Sequence, residues 1–125
     1  MLKRTFFILL SIGLVTIGCG RPITKNDNGR IIELSEDDVF TIKLKEPVQS
    51  EYEWSIVSKN NHIKLTEPII RNDTDISTEF TFEFKTVGTG EDFLKLVYTN
   101  GPFIKDSFEL RVIVGTIGRI EANER

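Results

Sequence analysis

The chain has 125 residues, with 16 Lys and Arg against 19 Asp and Glu, a single cysteine and a single histidine. One cysteine excludes an internal disulfide, and a lone histidine without a second histidine is a weak metal candidate. The acidic balance argues against nucleic-acid binding, which needs a basic face to meet phosphate.

The first nineteen residues stand apart. Lys3 and Arg4 precede an apolar run from Phe6 to Ile17, and "TIGCG" then places Cys19 after Gly18. A bilayer-spanning helix needs ~20 apolar residues. This run is shorter and has the length and flanks of a secretory h-region. A cysteine in this place resembles the lipobox of bacterial lipoproteins, although Thr16 stands where leucine is usual; the alternative is an ordinary signal peptide with an incidental cysteine. The resemblance implies a signal peptide over 1–18, lipidation of Cys19 as the new N-terminus, and anchorage to a membrane of the bacterial cell envelope. Gly20 is not the aspartate of an inner-membrane retention signal, so in a Gram-negative cell the outer membrane is expected, with the domain periplasmic or at the surface. Cleavage removes Lys3 and Arg4 and no acid, which takes the net charge from −3 to −5.

Residues 19–29, ending in the polar "GRPITKNDNG", read as the lipidated cysteine and a flexible tether that as a coil would span ~17 Å. From Ile31 the pattern has period two. Phe40, Ile42 and Leu44 alternate with Thr41, Lys43 and Lys45; Phe80, Phe82 and Phe84 alternate with Thr81, Glu83 and Lys85; Phe108, Leu110 and Val112 follow the same rule. Such alternation sets one face of each strand on a core and the other in water. "EDFLKLVYT" is more apolar, with Leu94, Leu96 and Tyr98 on one face and Phe93 and Val97 on the other, as in a central strand. Turn signals separate these runs, and no segment sustains helical spacing. The pattern predicts an all-β domain over 30–115, an immunoglobulin-like antiparallel β-sandwich of about seven strands, with 116–125 as a C-terminal tail. A monomer is expected.

The inventory for catalysis is thin. His62, in "NNHIKL", reads as a solvated strand-end residue rather than a ligand or base. No serine lies in a G-x-S-x-G context. "GTG" at Gly88–Gly90 lacks the Lys-Ser/Thr of a phosphate loop and reads as a hairpin turn. "SEDD", Ser35–Asp38, lacks calcium-loop spacing and reads as a solvated turn. "NDT" at Asn72–Thr74 fits an N-glycosylation acceptor, read as accidental in a bacterial chain. No enzymatic activity, cofactor or metal is expected.

Two units remain, "EPVQSEYEW" and "YTNGPF". A large apolar side chain on a turn either tucks onto the core or serves as a binding anchor. In order and spacing these units resemble the chagasin-like inhibitors of papain-type cysteine peptidases, from about Gly29 to Val114. "VFTIKLKEPVQSEYEW" is similar to the family's strand and N-P-T-T-G-[YF]-x-W loop, with Tyr52 and Trp54 matching its aromatic pair. "GTGEDFLKLVYTNGPF" is similar to A-G-T-x-x-[LI]-x-[LF]-x-Y followed by R-P-W, with Tyr98, Pro102 and Phe103 matching in kind. "DSFELRVIV" is similar to the closing strand. The departures lie in the loops. Glu46–Glu51 replaces the N-P-T-T-G tip with one residue more and no glycine; "RNDTDIS" stands where the family has G-x-G-G; Gly101 replaces the arginine of R-P-W.

The resemblance implies that three loops at one end of the sandwich enter the cleft of a papain-like cysteine peptidase. The contacts it implies are Pro47, Val48, Gln49 and Ser50, then Asn72, Asp73, Thr74 and Asp75, then Gly101, Pro102 and Phe103, with Tyr52, Trp54 and Tyr98 as loop anchors. Trp54 would equally serve as the core tryptophan of such a sandwich. Glu46 and Glu51 would make the first loop acidic and suit a basic cleft rim. The alternative is a non-inhibitory envelope binding or assembly module on the same scaffold, favoured by the missing glycines, which permit positive φ and close backbone approach.

Overall fold

The computed structural model describes residues 21–48 and 51–115. The expected signal peptide over 1–18, Cys19, Gln49, Ser50 and the expected tail over 116–125 lie outside the described residues. Eight strands follow in chain order: β1 Ile31–Ser35, β2 Val39–Pro47, β3 Glu53–Ile56, β4 Ile63–Leu65, β5 Ile70–Asp73, β6 Ser77–Thr86, β7 Gly90–Asn100 and β8 Phe103–Gly115. One sheet has the order β1-β8-β7-β3; the other has β2-β6-β4, with β5 also paired to β6. This is the all-β, immunoglobulin-like sandwich that the alternation predicts, with one departure in strand sense. β1 runs parallel to β8, with Ile31 opposite Arg111, while the other strand pairs are antiparallel.

The register explains why the phenylalanine-rich runs pair. Phe40, Ile42 and Leu44 of β2 lie opposite Phe84, Phe82 and Phe80 of β6. All six side chains are buried. Phe40 and Phe84 stack with ring centroids 5.2 Å apart. Leu94, Leu96 and Tyr98 of β7 and Phe108, Leu110, Val112 and Val114 of β8 supply the opposing layer. Each such side chain contributes ~1.5–3 kcal/mol by leaving water. β7 is central as its composition predicts, yet Phe93 points outward and is 65% exposed. Val97 is buried although it alternates out of phase with Leu96.

Residues 22–29 correct the expectation of a flexible tether. Ile23 is fully buried and bridges Ile42 in parallel, its N–H donating to Thr41 O at 2.8 Å and its carbonyl accepting from Lys43 N at 2.8 Å. Thr24 then caps a 3₁₀ turn at Lys25–Asp27, and the buried Asp27 carboxylate accepts from Thr24 N at 3.0 Å. Gly29 N donates to Glu109 O and leads the chain into β1. One apolar side chain in a polar run is enough to dock the segment along β2.

Two further turns differ from the sequence reading. Asp38 caps the β1–β2 turn by accepting from Ser35 N at 2.8 Å, and its own N–H donates to the buried Thr86 hydroxyl, so "SEDD" is locked to the sheet. His62 is half-buried rather than solvated. Its ring packs on the "GTG" turn, which joins β6 to β7 as expected. A Cβ on Gly90, where φ is +145°, would lie 2.4 Å from that ring. His62 N and Asn61 N both donate to the buried carboxylate of Asp92.

Candidate functional site

Strand register gathers three turns at one end of the sandwich. Pro47 at the end of β2 lies opposite Ser77 at the start of β6, so the β2–β3 loop and the β5–β6 hairpin share that end. Glu53 at the start of β3 lies opposite Thr99, which places the β7–β8 hairpin beside the same loop. The two sheets meet there through aromatic contacts. Trp54 stacks on Tyr98 at 5.2 Å, Tyr52 packs on Tyr98 at 5.4 Å, and Phe80 meets Tyr98 edge-on at 6.2 Å. Trp54 and Tyr98 are buried, and Tyr52 is half-buried beneath the Lys105 ammonium, 5.1 Å from its ring centroid. All three thus form the base on which the turns stand, and Trp54 is also a core residue.

Below the first loop sits a charged clamp that the sequence did not reveal. Glu46 is buried on the strand, where its carboxylate accepts from Trp54 Nε1 at 2.9 Å and pairs with Lys25 Nζ at 2.9 Å. Lys25 also reaches Asp106 of β8 at 3.2 Å. Burial by itself would lower the Lys25 pKa, but hydrogen bonds and charge from Glu46 and Asp106 outweigh it and leave the ammonium raised. Glu46 is therefore spent on holding Trp54 and the N-terminal segment, and does not contribute acidity to the loop surface. Glu51 is exposed.

The second loop is shorter than expected. Asn72 and Asp73 belong to β5, opposite Glu79 and Thr78, because Ile70–Asp73 finds a free edge of β6. Only Thr74, Asp75 and Ile76 make the turn. Thr74 Oγ1 accepts from Ile76 N and Ser77 N, and its backbone N–H donates to Ser77 O at 2.8 Å. The Asp73 carboxylate accepts from the Thr78 hydroxyl at 2.6 Å and from Arg71 at 3.3 Å, and the Thr78 bond is the main reason its pKa is lowered. Among the described non-glycine residues only Asp37 has positive φ. This hairpin therefore closes tightly without the glycines that the resemblance led one to expect.

The third turn projects beyond the core. A register shift between Tyr98 and Thr99 pairs Tyr98 with Asp106 but Thr99 with Ile104, leaving Lys105 as the extra residue of a bulge. Bulges bend a strand and re-aim its side chains. Past it, Gly101 takes φ of +61° at the tip, and Pro102, Phe103 and Ile104 are all exposed. Phe103 is 66% and Ile76 84% exposed, and Pro47 is exposed at the end of β2. Val48 is partly buried. Ile76 and Ile104 were not among the contacts read from sequence; the available signal was a lone apolar residue in "NDTDIST" and a second apolar residue beside Phe103 in "NGPFIKD".

No protein-family model matches the chain, and no curated protein matches it by sequence. Solved structures do resemble it. The cysteine protease inhibitor EhICP2 from Entamoeba histolytica superposes with a TM-score of 0.65 at 16% identity, over 75% of this chain and 93% of that one. Amebosin gives a TM-score of 0.54 at 20% identity, over 76% of this chain and 99% of that one. The protein PbICP-C, solved in complex with falcipain-2, superposes more loosely, with a TM-score of 0.44 at 13% identity over 80% and 97%. The first two likenesses establish a shared fold: the chain is an immunoglobulin-like sandwich with the architecture of EhICP2 and amebosin. Among the described residues, no group of three His, Cys, Asp or Glu side chains is placed to hold a metal.

Proposed function

We propose that the chain is an inhibitor of papain-type cysteine peptidases that acts by inserting its three-turn end into the active-site cleft. The observation that carries this reading is the convergence of three turns on one aromatic base, two of them with exposed apolar side chains, Ile76 on the second and Phe103 and Ile104 on the third. Its fold, shared with a protease inhibitor, supports the same reading. Turns fixed before docking lose little entropy on binding, so a modest contact area can give high affinity. The Thr74-locked hairpin supplies that rigidity where glycines are missing. Pro47, Val48, Gln49 and Ser50 would form the first contact and Gly101, Pro102 and Phe103 the third. The second contact would shift from Asn72 and Asp73 toward Thr74, Asp75 and Ile76. Cys19, lipidated, would hold the inhibitor at the bacterial envelope.

The test is a titration of papain with the chain from residue 20 onward, beside the Ile76→Asp and Phe103→Asp variants. Tight inhibition that falls at least tenfold in either variant, with the melting temperature unchanged, is the expected result. Absence of inhibition by the folded wild-type domain against papain and against the peptidases of its own cell would overturn the proposal. It would leave the same end as the binding surface of an envelope module.

A further inference from the structure

The outer face of the β1-β8-β7-β3 sheet carries a second apolar surface, far from the three turns. Ile31, Arg111 and Phe93 lie side by side across β1, β8 and β7. With Gly29, Val57 and Lys95 they line a shallow groove of about 490 Å³. Ile31, Val57 and Phe93 are all exposed large hydrophobic side chains. The Arg111 guanidinium lies 5.5 Å from the Phe93 ring centroid and pairs with Glu91, and Lys95 pairs with Glu109 at 3.8 Å. Exposed aromatic and aliphatic groups rimmed by long cationic side chains are the composition of a membrane-interface surface: the rings enter the headgroup layer while the cations reach toward water.

The N-terminal segment decides where a lipid would emerge. Ile23 runs along β2, and the Arg21 and Arg30 side chains both contact Asp27 Oδ1, at 3.4 and 3.5 Å, so Arg21 lies at the edge of the sandwich where β1 turns into β2. Cys19 lies two positions before Arg21, with only Gly20 between them, a reach of at most ~7 Å. An anchor at Cys19 therefore leaves the domain at the β1 side of the groove. Phe93 lies seven residues along β7 from Asn100, roughly 23 Å from the three-turn end at the rise of a strand.

We infer that the outer face around Ile31, Val57 and Phe93 rests on a bilayer surface, with the lipid at Cys19 holding it there and the three-turn end left clear. This rests on the reading of Cys19 as lipidated. A short tether raises the effective concentration of the face at the bilayer, so weak apolar insertion suffices. The local charges largely pair among themselves, so the occupant is a lipid interface met by apolar contact rather than an anionic surface met by charge.

The test uses the full chain, produced in bacteria and reconstituted in phosphatidylethanolamine–phosphatidylglycerol vesicles, with Phe93→Trp as the probe. Lipids brominated near the headgroup should quench Phe93→Trp strongly, while buried Trp54 of the wild type and an Ile76→Trp probe at the three-turn end stay bright. A mass spectrum of the N-terminus reports lipidation in the same samples. A lipidated chain whose Phe93→Trp is unquenched, or quenched no more than Ile76→Trp, overturns this inference alone. An unlipidated Cys19 overturns the anchor reading and this inference with it. Shielding of Phe93→Trp from an aqueous quencher without quenching by brominated lipid would put a protein on the face, and also overturns it.

Discussion

Replacing Glu46 by alanine should destabilise the domain although the residue lies at the edge of the proposed first contact loop. The Glu46 side chain is 6% exposed and is the acceptor for the buried Trp54 indole N–H. Orphaning a buried donor costs ~1–3 kcal/mol. Lys25 is 40% exposed and keeps Asp106, so loss of its pair with Glu46 adds no more than ~1 kcal/mol. With the donor's cost taken near the middle of that range, the total of about 2–3 kcal/mol corresponds, for a domain of this size, to a fall in melting temperature of roughly 10–20 °C. Glu46→Gln keeps an oxygen to accept from the indole and should lose less than half as much. Thermal unfolding by circular dichroism, on the chain from residue 20 onward, measures both. A Glu46→Ala variant within about 3 °C of wild type, equivalent to under ~1 kcal/mol, would refute the account. So would a Glu46→Gln loss equal to that of alanine, which would show that the charge and not the indole bond matters.

Gly90→Ala should cost more than ~2 kcal/mol, because the new Cβ meets the His62 ring and takes a φ suited to glycine. Adding His62→Ala should recover part of that loss, and a double-mutant cycle with no coupling would rule out the contact as its cause. Tyr98→Phe should be neutral or slightly stabilising, because Tyr98 Oη is buried without a hydrogen-bond partner among the described residues; a clear loss in urea midpoint would contradict this. Asp73 has a pKa lowered chiefly by the Thr78 hydroxyl and also by Arg71, so its contribution is present above the ordinary aspartate value and disappears as pH falls through the folded one. The gap in urea midpoint between wild type and Thr78→Val should therefore narrow from neutral to acidic pH, and a constant gap would argue against it.

The architecture was legible because it is written in side-chain alternation. Phe40, Ile42 and Leu44 facing Phe84, Phe82 and Phe80 is a local pattern with one economical pairing, and a one-residue slip would turn every one of those rings to water. The aromatic base was legible for another reason: Tyr52, Trp54 and Tyr98 fall where the resemblance places loop anchors, and a lone tryptophan also reads as the core tryptophan of such a sandwich. Contacts that join distant residues through polar atoms were not legible. Nothing in "GRPITKNDNG" says that Lys25 will meet Glu46 and Asp106, or that Ile23 will enter the core.

The sequence by itself determined the class of fold, the strand phases and the absence of a disulfide, all of which follow from residue type and periodicity. Only the tertiary structure decided which turn residues reach solvent. Asn72 and Asp73 became strand because β6 offered a free edge, and Ile76 was left to form the tip. Phe103 and Ile104 both point to water because the bulge at Lys105 carries the hairpin past the core. Pairing partners and register shifts are properties of the assembled sheets, so the apolar points of the candidate site appear only when the sheets are in place.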